Sequence, residues 1–294
     1  MTLQSAIVTS SYRGDFERCR LLCESMDQRV SGHTRHLIMV EGADMALFRQ
    51  LAGPKREIVD ERDLLPRWLR PFPDPISLGR RRIWLTPKGP PLRGWHVQQL
   101  RRLAIAAALD ETVVVSVDSD VVFLRAFDLA WFHRTGAVNF YSRPNAIAHL
   151  PEPARSEQGA WSLRAGQMLG IETPAISDAG YIATLIAWRS DTVRDMQKRI
   201  EAVSGRSWMS TLVRRRALSE CILYGRFVDE VENRPDRHAR SALELCHMYW
   251  DGAALNAAAL ADFSRGLEPH QVAAGIQSFT GTDPALIRRA VGLS

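Results

Sequence analysis

The run Val113-Val114-Val115-Ser116-Val117-Asp118-Ser119-Asp120-Val121-Val122-Phe123 decides how the rest of the chain is read. Its β-branched residues show no polar alternation, the pattern of a strand buried on both faces of a parallel sheet. Two carboxylates follow at the carboxyl end of that strand, where open α/β sheets bind ligands. Residues i and i+2 of an extended segment point the same way, so Asp118 and Asp120 share a side. Like charges this close raise each other's pKa unless a cation sits between them. Oxygen donors together with a diphosphate suit Mg2+ or Mn2+. The competing reading is a solvated turn, and the apolar residues on both sides of the acids weigh against it.

At 294 residues the chain suffices for one large α/β domain or two small ones. No stretch approaches the roughly 20 apolar residues of a membrane span. The N-terminal Met1-Thr2-Leu3-Gln4-Ser5 lacks the basic start and apolar run of a secretion signal. A cytoplasmic location follows as the expectation, with peripheral contact at the inner face of the membrane. The four cysteines, Cys19, Cys23, Cys221 and Cys246, show no CxxC spacing and suggest buried free thiols. The net charge of +5 is carried by Arg more than Lys, with runs at Arg80-Arg81-Arg82 and Arg214-Arg215-Arg216. Such surfaces attract anionic phospholipid, phosphorylated substrates or nucleic acid. Aromatic residues are not interleaved with the runs, which argues against a single-strand nucleic-acid binder.

Outward from the deciding stretch, strands and helices alternate. Ala6 to Thr9 reads as a first strand, Ser10 to Gly14 as a polar loop, and Asp15 as an N-cap. Phe16, Cys19, Cys23, Met26 and Val30 give the next helix one apolar face. Leu37 to Val40 and Glu57 to Val59 read as strands, with a helix over 43–51 between them. Trp95 to Leu109 is a helix leading into the acidic strand. Beyond it, Ala137 to Tyr141 and Tyr181 to Trp188 read as strands, with a polar loop up to Glu157 after the first. Thr192 to Val203 and Ser219 to Phe227 read as helices, and two Ala-rich helical patterns flank Gly275-Ile276-Gln277-Ser278-Phe279. The alternation predicts a doubly wound α/β fold. Residues 71–94 break it: six prolines forbid long regular elements, and a mobile flap is expected.

The loop Thr9-Ser10-Ser11-Tyr12-Arg13-Gly14-Asp15, about a hundred residues before the Asp-Ser-Asp, resembles the GT-A fold of nucleotide-sugar glycosyltransferases. More narrowly, Val8 to Cys23, Gly94 to Leu100 and Val117 to Phe123 resemble a poorly characterised bacterial glycosyltransferase-like family. The resemblance implies a Rossmann-related mixed sheet flanked by helices in a single domain. Residues 1–125 would hold the nucleotide sugar and 126–294 the acceptor, a glycan or a lipid-linked molecule, in bacterial surface or exopolysaccharide synthesis. It places Thr9, Tyr12, Arg13, Asp15, Gln98, Gln99, Asp118 and Ser119 against the nucleotide sugar. Relatives use a basic residue near Gln98 and Gln99, a part that Arg101 or Arg102 can take. It implies Mn2+ or Mg2+ on Asp118 and Asp120, with His247 as a late extra ligand. Glu220 is the expected general base, and Asp178 a second acid for acceptor or sugar; the alternative for Glu220 is a charge at a helix N-terminus. His96 has no evident partner and reads as structural.

Two other classes compete. Haloacid-dehalogenase-like phosphatases also carry Asp-X-Asp after a strand, but near the N-terminus and with a later acidic pair that this sequence lacks. A non-catalytic membrane- or nucleic-acid-associated protein on a transferase scaffold would explain the arginine runs. It would leave the Asp-Ser-Asp without a purpose, and no nucleic acid is expected as a partner.

Overall fold

Strand β1 (Ser5–Ser10) is followed by helix α1 (Phe16–Arg29), strand β2 (His33–Val40) and strand β3 (Arg56–Asp60). Helix α2 (Gly94–Ala108) leads into β4 (Val113–Val117), and β5 (Val121–Phe123) follows directly after the two acids. The second half contains helix α3 (Ala154–Leu169), strand β6 (Leu185–Arg189), and helices α4 (Ser190–Ser204) and α5 (Glu220–Phe227). Strands β7 (Cys246–Tyr249) and β8 (Ala273–Ile276) come last. This computed structural model describes residues 3–79 and 81–293. Arg80 of the first arginine run and Met1 and Thr2 of the N-terminal segment therefore lie outside the described residues.

The main sheet has the order β6-β4-β1-β2-β3. Four strands are parallel, and β6 runs antiparallel beside β4. Every residue of β1 and β4 is buried, as the unbroken valine run predicts. Alternate residues of β1 serve opposite faces. Ala6 and Val8 join Leu100, Leu103 and Ile222, whereas Ile7 joins Leu22, Met26 and Phe123. The fold is thus α/β with a mixed sheet between helical layers.

A second sheet has the order β7-β8-β5. Strand β5 leaves the main sheet immediately after the acids and pairs antiparallel with β8. The Asp-Ser-Asp is the joint between the two sheets. The two helical patterns of the tail are helices Ala257–Arg265 and Pro284–Ala290, and strand β8, which the sequence reading did not assign, lies between them. Its Ala273-Ala274-Gly275 favours a helix or a loop by local preference, and the pairing on both sides overrides it.

Residues 71–94 are also more regular than expected. Arg70–Pro73, Arg82–Leu85 and Leu92–Arg93 form a three-stranded antiparallel sheet. Pro71 and Pro73 sit in its edge strand, where a missing N–H need not cost a ladder bond. Pro75 opens a short 3-10 turn, a position that needs no amide donor. Three further expectations are adjusted. The strand read over 181–188 begins at Leu185, where pairing with β4 starts. Asp15 stands at the N-cap of α1, but its side chain makes no capping hydrogen bond. Helix α3 replaces the end of the predicted polar loop. Its buried residues include Ser162, Ala165 and Gly166, too small to read as an apolar stripe. A side chain at Gly166 would strike the buried Arg226 guanidinium.

Candidate active site at the joint between two sheets

Asp118 is fixed from helix α2. Its Oδ1 accepts hydrogen bonds from Arg102 Nη2 at 2.9 Å and Gln98 Nε2 at 3.3 Å. These donors are four residues apart and so share one helix face. The other arm of Arg102, Nη1, donates to Glu220 Oε1 at 2.5 Å. Glu220 is the first residue of α5, and its N–H donates to Gln99 Oε1 at 3.0 Å. Burial works against the Arg102 charge, but Glu220 and Asp118 outweigh it and hold the guanidinium above its ordinary pKa. Burial also pushes the Glu220 carboxyl up, with Arg102 opposing. One arginine thus ties the acid of the strand end to an acid of the second half.

Asp120 faces the C-terminal sheet. Its Oδ2 accepts from the Ser278 N–H at 3.3 Å, while Oδ1 is buried without a partner. Its pKa is pushed up to about 7, first by burial and then by Asp118 and Asp15. Asp15 is also raised by burial, offset in part by its hydrogen bond to the Ser278 side chain and by Arg18. Ser278 thus donates to Asp120 and is close enough to Asp15 to lower its pKa, joining opposite ends of the chain at one place. Arg18 spends its guanidinium on the carbonyls of Ile276 (3.0 Å) and Thr282 (2.5 Å). It supplies positive charge to Asp15 and Asp120 without pairing to either. Tyr12 is half exposed at the rim, its phenol raised by burial and Asp15, with Arg81 and Arg18 opposing.

The remaining predicted site residues are used as follows. Thr9 Oγ1 bonds His36 Nε2 in the core at 3.0 Å. Arg13 clamps Asp44 through its N–H and Nε at 2.9 and 2.7 Å. Ser119 is buried between the acids. Asp178 is exposed and lines a cavity of about 400 Å³, together with Ile147, Arg155, Leu163 and Ile176. None of the strand-end acids lines that cavity. The His247 ring stacks on Phe263, with centroids 4.4 Å apart. Among the described residues, no three His, Cys, Asp or Glu side chains gather as a metal cage. His96 Nε2 donates to the Arg216 carbonyl, 3.2 Å away.

Sequence reasoning missed Arg18 and Ser278. Arg18 is one of many helical arginines, and no local signal separates it from a surface residue. Ser278 is 158 positions from Asp120, and only the pairing of β8 with β5 brings them together.

An α/β protein with acids at the carboxyl end of an inner strand of its main sheet is the class that fold and site define. The chain belongs to the DUF6492 family, a family of unknown function whose model matches residues 2–291. No curated protein matches the chain.

Proposed function

We propose that this chain is a metal-dependent glycosyltransferase that takes its sugar from a nucleoside-diphosphate donor. The observation that carries the reading is the Asp120 carboxyl. It has one orphaned buried oxygen and two acidic neighbours, and a pKa of about 7. A group so placed holds a proton near neutrality unless a cation replaces it. Mg2+ is characteristically held by one or two carboxylates, with waters and substrate phosphates filling its other positions. A donor set of Asp120 with Asp118 or Asp15 meets that requirement without a three-ligand cage. Bound there, the cation supplies Lewis-acid stabilisation to the departing diphosphate.

The chain's own residues do the rest. Tyr12 offers its half-exposed ring to the base. Arg102 keeps Asp118 turned toward the donor. Arg81, close to Tyr12, adds positive charge at the mouth. Glu220 is buried and paired to Arg102 through Oε1, and its carboxylate takes the acceptor's proton. Glu220→Gln decides this role: loss of turnover alone, by about 10²–10⁴-fold, identifies the base. Equal loss of nucleotide binding instead makes Glu220 a residue that positions Arg102.

The test of the whole reading is calorimetric titration with uridine and guanosine diphosphates, with and without Mn2+. Metal-dependent binding that Asp120→Asn removes supports it. Absence of any nucleotide binding in saturating Mn2+ overturns it.

A further inference from the structure

The three-stranded sheet over 70–93 presents an apolar, cationic face to solvent. Strand pairing sets Arg70 opposite Leu85, Phe72 opposite Ile83, and Ile83 opposite Arg93. By alternation these five residues share one face. The other face holds Trp84 and Leu92, both buried in the main core. On the outward face, Phe72 and Leu85 are exposed, and no acid stands among the five.

The hairpin tip continues this face. Ile76 is 91% exposed and Leu78 86% exposed. Neither is there by looseness. The Asp74 N–H bonds the Arg81 carbonyl, and the amides of Ser77 and Gly79 both donate to the Asp74 carbonyl. The Asp74 carboxylate turns back to accept from the Ile76 N–H at 3.0 Å, and Ser77 Oγ accepts from the Arg81 N–H at 2.9 Å. Leu78 is held at φ +52°, a conformation that costs a bulky residue energy and persists only where its surroundings enforce it. A turn constrained in this way to display two large aliphatic side chains to water has a use for them.

We propose that this sheet face and its tip dock on an anionic lipid bilayer. Apolar side chains at a tip, backed by arginines on the same face, match the layered chemistry of a bilayer surface. The aliphatic groups enter the acyl boundary while guanidinium groups meet phosphate. Charge complementarity selects lipid over another apolar protein surface, since the sheet face offers Arg70 and Arg93 with no acid among its residues, and the one acid of the tip, Asp74, is turned back onto the Ile76 amide. Arg81 is near enough to Tyr12 to act on its phenol, so the docked sheet stands at the mouth of the candidate site. A membrane-held acceptor would then reach the site without leaving the lipid surface. The docking itself does not depend on the proposed reaction.

The test is flotation of the full chain with vesicles of phosphatidylcholine alone and of phosphatidylcholine mixed with phosphatidylglycerol. Binding to the anionic vesicles, weakened by salt and absent on the neutral ones, is expected. Ile76→Ser combined with Leu78→Gly should remove the binding, and glycine accepts the positive φ of that position. Arg70→Glu with Arg93→Glu should lower it about 10–100-fold. No flotation of the unaltered chain on anionic vesicles overturns the proposal. So does flotation that survives the tip variant, or a lipid-free dimer in solution that the tip variant dissolves. Metal-dependent nucleotide binding, measured without lipid in the same variants, is expected to stay unchanged. Its loss in the unaltered chain would count against the transferase reading and leave the vesicle result standing.

Discussion

The five-stranded sheet and the three-stranded sheet over 70–93 treat their apolar residues in opposite ways. In the first, β1 and β4 hide both faces, and the acids of the candidate site stand at a strand end. In the second, one face holds Trp84 against the core while the other leaves Phe72 and Leu85 in water. The two are coupled through their shared interior. Trp84 Nε1 donates to Glu61 at 3.3 Å, and Glu61 is ion-paired with Arg101 of α2, the helix that also carries Gln98 and Arg102. The contrast teaches that a sheet one layer thick can belong to the core on one side and leave apolar side chains in water on the other.

Four measurements can break or sharpen this contrast. The largest effect should come from Trp84→Ala on the inner face, about 3–5 kcal/mol lost in chemical denaturation. A loss below about 1 kcal/mol would mean the outer sheet contributes little to the core. Next, Asp120→Asn should lower Mn2+-dependent nucleotide affinity by more than the roughly 10–100-fold of an outer-shell partner, with the denaturation midpoint retained or raised. Retained affinity would detach the strand end from metal chemistry.

Third is the ion pair at the far end of the main sheet. Arg35 and Thr34 bond Glu111 and hold its carboxyl down at about 2, against burial, from an ordinary 4.5. A carboxyl lowered on folding stabilises the fold above its unfolded pKa. That contribution should disappear as pH falls from about 4.5 to about 2. Glu111→Gln should flatten this part of the acid-denaturation profile, and an unchanged profile would refute the assignment. The smallest effect is expected at the tip. Ile76→Ser with Leu78→Gly should shift stability within about 0.5 kcal/mol, since the side chains touch little and glycine relieves the backbone. A large loss would show that the tip is a structural element.

Much of the first half was legible. The valine run predicts a fully buried strand, and the acids that close it do lie at a sheet end. The helical spacing of Phe16, Cys19 and Cys23 places them together in one apolar cluster. The part that resisted reading has physical causes. Helix α3 buries Ser162, Ala165 and Gly166, because a buried Arg226 fills the space that larger side chains would take. Strand β8 is spelled in alanines that favour a helix until two neighbours pair with it. The prolines of 71–94 suggest irregularity, yet an edge strand accommodates them. At the site, Gln98, Asp118 and Glu220 are legible as polar residues on suitable elements. What Arg102 does with them depends on one guanidinium reaching two elements 118 and 16 positions away.

The Ser278 contact has a consequence for the order of assembly. Asp120 leaves the ribosome long before Ser278, yet its one hydrogen-bonded oxygen depends on that serine's amide. The main sheet can begin to form from local crossovers while the chain is still growing, because β1, β2 and β3 are close in sequence. The joint cannot, because its closing contact spans more than half the chain, and such distant contacts are slow to form. A nascent chain stalled before β8 would carry its buried sheet and lack its acidic centre. The candidate site would then be the last part of this protein to assemble during synthesis.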